Sequence, residues 1–152
     1  MTEMHRRHSL VEAPIEDVWA VVSDPKTHPD WWPEVMDVRT SGDAEEGQHY
    51  TRVVRRLGFL DQVDNVWVVE RLEDLKEARF RCTVSGTYAR FSLTPAQEDT
   101  FIEAEVGMLP PSLRWRIAQA TWGRMFFRRW LSEVLDALPR VVARDRSSSP
   151  SG

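Results

Sequence analysis

The sequence predicts an α+β fold in which a curved antiparallel sheet of about seven strands wraps a long C-terminal helix. Three observations predict it. Apolar residues recur with a period of two from Gly47 to Met108, in five strand-length runs. The stretch from Ser112 to Leu138 contains no proline and only one glycine, Gly123, and carries apolar residues at helical spacing over a wide arc. Before both, a short strand runs into a helix opened by a proline.

Taken in order, His5 to Val11 reads as the first strand. Ala13 to Val22 reads as a helix, with Pro14 where its missing N–H costs least and Glu16 and Asp17 in the first turn, where the helix dipole favours acids. Ile15, Val18, Trp19 and Val22 share one face of it. The proline-dense stretch Asp24 to Pro33 predicts a turn and one short helical turn. Val35 to Thr40 is a second strand, closed by Ser41-Gly42-Asp43.

The meander then comprises His49–Leu57, Gln62–Leu72, Ala78–Val84, Thr87–Leu93 and Phe101–Met108. Three of its strands assign their faces by alternation: Phe80/Cys82/Val84, Ala89/Phe91/Leu93 and Ile102/Ala104/Val106 are apolar, and their neighbours are mostly polar. The sheet is therefore one-sided and needs a cover. The first two strands leave the choice open, because Tyr50/Arg52/Val54 and Thr51/Val53/Leu57 each mix apolar and polar groups. In the last helix Leu113, Ile117, Ala120, Phe127, Leu131, Leu135 and Leu138 form a stripe. Trp115, Trp122, Phe126, Trp130 and Ala137 widen it, and Pro139 is expected to end the helix. Arg124 falls in the middle of that stripe.

The 152 residues, 41% hydrophobic and 29% charged, suit a single domain over residues 1–145, with 146–152 too polar to bury anything and expected as a disordered tail. A net charge of −4 argues against nucleic-acid binding, which calls for a basic face. The lone cysteine, Cys82, cannot form an intramolecular disulfide and reads as a buried apolar residue. With neither a signal-like apolar segment nor an 18-residue apolar run, the expected setting is cytoplasmic. His5, His8, His28 and His49 lack convergent ligand spacing, so neither a metal nor another cofactor is expected. Phosphate-loop and acyl-enzyme motifs are also missing.

The element order, with Ala13-Pro14 and Val18-Trp19 in the first helix, Asp24-Pro25 at its end, Pro29, Trp31, Trp32 and Pro33 after it, Gly47 opening the third strand and the final helix, resembles the START-like, helix-grip superfamily (SRPBCC). Within it the chain is similar to the bacterial polyketide cyclase/dehydrase and lipid-transport group, to about Val142. The resemblance implies a deep, mostly apolar cavity between the concave sheet face and the C-terminal helix. Relatives use that cavity for lipids, sterols, hormones or polyketide intermediates. It implies no single activity.

Within such a cavity the expected ligand-binding residues are Trp31, Trp32, Tyr50, Trp67, Phe80, Phe91, Val106, Arg124 and Phe127. Trp31 and Trp32 either gate the entrance or cap the end of the sheet, and Trp67 either faces the cavity or packs beneath a helix. Arg124 on an apolar face must be ion-paired, snorkel, or meet a ligand's carboxylate or phenolate. Tyr50 and Arg52 share a parity. They could supply a phenol and a cation to a polyketone oxygen, or be ordinary surface residues. Tyr50, Arg52 and Arg124 are thus the catalytic candidates, should there be catalysis. Arg128, Arg129, Arg140 and Arg144 read as a solvated helix face, or as a contact for an acidic carrier protein or an anionic membrane.

The expected function is binding of a small hydrophobic ligand, a lipid or an aromatic, polyketide-like molecule. The alternatives are a polyketide cyclase or aromatase that performs aldol cyclisation and dehydration in the same cavity, and a protein-partner module with a small cavity and an exposed apolar patch. The oligomeric state is left open.

Overall fold

The structure is a computed structural model and describes residues 4–33, 35–40, 42–55, 62–83, 86–108 and 124–148. Strand β1 (Met4–Val11) is followed by α1 (Ile15–Val22), a 3-10 turn (Pro25–Thr27) and α2 (His28–Trp31). Strands β2 (Val35–Arg39), β3 (His49–Arg55), β4 (Gln62–Glu73), β5 (Glu77–Cys82), β6 (Thr87–Ala96) and β7 (Asp99–Met108) precede the long helix α3 (Arg124–Ser148). The seven strands form one antiparallel sheet in the order β1-β7-β6-β5-β4-β3-β2. This is the α+β helix-grip architecture expected, with each strand near its expected bounds. Residues 112–123, the expected start of the long helix, lie outside the described residues, as do Leu57 and Val84.

Local chemistry fixes the α1–α2 corner. The Asp24 carboxylate accepts the Lys26 N–H at 3.0 Å, and Pro25 follows at the first position of the turn. The Thr27 hydroxyl shares its one proton between the Val21 and Asp24 carbonyls, at 2.7 and 2.8 Å, and accepts the Trp31 indole N–H at 2.9 Å. Thr100 on β7 donates to the Ala13 carbonyl at 2.8 Å, which ties the entry of α1 to the sheet.

The concave face holds the core. Ala78, Phe80 and Cys82, Ala89, Phe91 and Leu93, and Ile102, Ala104 and Val106 are all buried, as their alternation predicts. Against them α3 sets Phe127, Trp130, Leu131, Val134, Leu135, Leu138, Val141 and Val142. The convex face is a lattice of charges. Arg90 meets Glu77, Glu103 and Glu105 at 3.0, 3.4 and 3.2 Å, and Arg6 meets Glu105 at 2.6 Å. Arg79 and Arg81 pair with Glu70. The rows between the apolar ones are thereby solvated or paired, which lets the sheet be greasy on one side only.

Two features depart from the sequence reading. Pro139 does not end the last helix, which continues to Ser148 and so enters the segment expected as a tail. The apolar stripe explains this, since Leu138, Val141 and Val142 on either side of Pro139 are all buried, and their packing outweighs the backbone hydrogen bond that proline removes. In β4 the pairing with β5 slips by one residue between Val69 and Arg71. Trp67 and Val69 lie opposite inward-facing Cys82 and Phe80, whereas beyond the slip Leu72 lies opposite inward-facing Ala78. A bulge thus exchanges the two faces mid-strand, which is why that strand shows no single alternation.

Candidate functional site

The inner face of β3 and β4 decides what the sequence left open. Tyr50 and Arg52 both face inward and are 3% and 5% exposed, while Trp67 sits opposite Tyr50 in the register. A guanidinium is therefore enclosed on the apolar side of the sheet. Its central carbon lies 4.0 Å from the Trp67 ring centroid and 4.7 Å from that of Trp32, so two indoles cover it. Arg52 Nε and Nη1 have no hydrogen-bond partner, and among the described residues no carboxylate is paired with Arg52.

Helix α2 contributes the opposing wall. It places His28 and Trp32 one turn apart, and their rings stack at 3.9 Å between centroids with 14° between planes. The His28 ring also stands edge-on to Phe80 at 4.8 Å and to Tyr50 at 6.0 Å. His28 is fully buried, and neither ring nitrogen is hydrogen-bonded. The Tyr50 hydroxyl and the indole N–H groups of Trp32 and Trp67 are likewise buried without partners. Trp31 differs from Trp32, because its N–H is taken by Thr27 and its ring closes against Phe91 at 5.1 Å. Trp130 from α3 completes the wall at 5.2 Å from Trp32.

Burial sets the electrostatics. It pulls the Arg52 guanidinium down to about 10, against the opposing influence of Tyr50 and Cys82, so the group remains a cation at neutral pH. Burial, and then the Arg52 charge, push the His28 imidazole well below its usual value of 6.5. Burial pushes the Tyr50 phenol up, out of the physiological range. Among the described residues the site therefore holds one charge, on Arg52, flanked by a neutral imidazole and a neutral phenol.

Of the residues singled out from the sequence, Trp31, Trp32, Tyr50, Trp67, Phe80, Phe91, Val106 and Phe127 all lie in the one buried cluster. Arg52 sits against its Trp32 and Trp67. Arg124 opens the described part of α3, and its side chain lies outside the described residues. Arg128, Arg129, Arg140 and Arg144 are exposed, and Arg129 pairs with Glu133 at 3.0 Å. His28 was missed by sequence reasoning because a His-Pro pair in a proline-rich stretch reads as a turn. The signal that could have found it is its i,i+4 spacing to Trp32.

An antiparallel sheet gripping a C-terminal helix, with a buried polar cluster on its inner face, defines a helix-grip protein. The chain belongs to the family described as polyketide cyclase/dehydrase and lipid transport, whose model matches residues 4–143. No curated protein matches it in sequence. Among solved structures it is similar to protein NE0264 from Nitrosomonas europaea, with a TM-score of 0.75 and 16% identity over 95% of this chain and 96% of that one. It is also similar to a START superfamily protein from Mycobacterium smegmatis, with a TM-score of 0.66 and 16% identity over 93% and 97% of the two chains. A point mutant of norcoclaurine synthase from Thalictrum flavum, in complex with a transition-state analogue, aligns with a TM-score of 0.68 and 16% identity over 96% and 97%. Such likenesses establish the fold. No helix among the described residues is long and apolar enough to cross a membrane.

Proposed function

We propose that this protein binds a small, largely hydrophobic ligand, a lipid or an aromatic, polyketide-like molecule, between the inner sheet face and α3. One observation carries this reading: buried polar atoms of His28, Trp32, Tyr50, Arg52 and Trp67 converge on one apolar interior without hydrogen-bond partners. Leaving that many groups unsatisfied costs about 1–3 kcal/mol each. A fold tolerates such a cost where a ligand relieves it, and a small set of polar groups on an apolar wall is the usual composition of a small-molecule site.

The alternative is cyclisation and dehydration of a polyketone. It draws support from the neighbouring Tyr50 hydroxyl and Arg52, which could stabilise an enolate oxygen. The protonation states favour binding over chemistry. General acid–base groups work best with pKa values near the operating pH, whereas burial moves His28 down and Tyr50 up, away from it.

Titration with the neutral dye N-phenyl-1-naphthylamine tests the binding reading. Saturable uptake with quenching or energy transfer from the buried tryptophans is expected. No uptake would mean that the aromatic side chains fill the interior, and would refute it. Turnover of a model polyketone by the wild type that is lost in Tyr50→Phe with dye uptake retained would instead establish the cyclase.

A further inference from the structure

We infer that the ligand is an amphipathic anion, an apolar body carrying one compact oxyanion such as a carboxylate, and that the edge of the Arg52 guanidinium between Trp32 and Trp67 receives it. This deepens the binding reading and rests on it.

The hydrogen-bonding capacity of the site selects the ligand's head group. The partnerless atoms at this end of the interior are Nε and Nη1 of Arg52, the indole nitrogens of Trp32 and Trp67, the Tyr50 hydroxyl and the two His28 ring nitrogens. A guanidinium and an indole only donate, a phenol can donate, and a neutral imidazole offers one donor and one acceptor. Donors thus dominate, and the matching ligand group is one that only accepts. A hydroxyl or amide head would leave several donors still unsatisfied.

Charge points the same way. Arg52 is a buried cation for which no carboxylate partner is present among the described residues, and every other side chain named around it is neutral. The two indoles, set nearly perpendicular to each other, pack against the guanidinium and leave its Nε and Nη1 groups unpaired, donors that a carboxylate lying in the guanidinium plane would satisfy. Phe80, Phe91 and Trp130, packed around Trp32, suit the apolar body.

The test is competition against N-phenyl-1-naphthylamine by matched pairs, dodecanoate with dodecanamide and 2-naphthoate with 2-naphthamide, on wild type, Arg52→Met and Arg52→Lys. At least one carboxylate should displace the dye about 10- to 100-fold more tightly than its amide, the ratio expected for one charge-assisted hydrogen-bonded pair. The ratio should fall to about one in Arg52→Met and be partly kept in Arg52→Lys. Dye uptake with carboxylates and amides equal in the wild type would overturn this inference while leaving the binding reading intact. A preference that survives in Arg52→Met would also overturn it. Absence of dye uptake would overturn the binding reading and the inference with it. The wild-type comparison decides even if a variant fails to fold.

Discussion

The Arg52 guanidinium carbon lies 4.0 Å from the centre of the Trp67 ring, on the inner face of the sheet, whereas Arg90 and Glu105 pair on the outer one. Two indole contacts, each contributing about 0.5–2 kcal/mol, hold a buried cation that no described carboxylate pairs with.

Such a cation should cost stability. Its lowering to about 10 corresponds to roughly 3 kcal/mol of unfavourable burial. Because a folded-state value below the unfolded one penalises the charged form, that cost is fully present at neutral pH and fades only above about pH 10. The indole contacts offset part of it. Arg52→Met should therefore raise the unfolding free energy by about 1–2 kcal/mol in urea denaturation. A loss of stability would mean that Arg52 is a structural residue with a partner that compensates it.

His28 makes an opposite prediction about acid. Its imidazole is neutral in the folded protein and titrates near 6.5 when unfolded, so the unfolded state binds the extra proton as the pH falls below 6.5. The folded protein should lose up to about 1.4 kcal/mol per pH unit below that value, until the depressed folded pKa is reached. His28→Phe, which keeps a ring against Trp32, should remove this slope between pH 6.5 and 5. Equal slopes in wild type and variant would contradict a neutral, buried His28.

On the outer face, a side chain at Gly107 would meet the Tyr88 ring, since a Cβ there would lie 2.9 Å from it. Tyr88 donates to Glu105 at 3.0 Å and stacks beneath the Arg79 guanidinium at 4.5 Å, so it cannot move without breaking that lattice. Gly107→Ala should destabilise the fold by about 1–3 kcal/mol, measured as a lower urea midpoint with an unchanged slope. Wild-type stability in the variant would mean that the ring gives way freely.

The fold was legible where one face of an element is uniformly apolar. β5, β6 and β7 announce their buried rows, and so does α3 around Leu131 and Leu135. The site was less legible, for the same reason that makes it a candidate. Arg52 breaks the alternation of β3, so the strand reads as two-sided until its partners are known. The slip after Val69 hides the inward row of β4. Pro139 carries a strong local signal that tertiary packing overrides. His28 sits in a stretch whose prolines conceal a single helical turn.

The most direct measurement is native mass spectrometry of the wild type and Arg52→Met purified from the same host, with organic extraction of whatever is bound. A one-to-one adduct that extracts as an organic acid is expected on the wild type, and little or none on the variant. A neutral adduct held equally by both proteins would contradict this. So would bare wild-type protein that also fails to take up dodecanoate or 2-naphthoate.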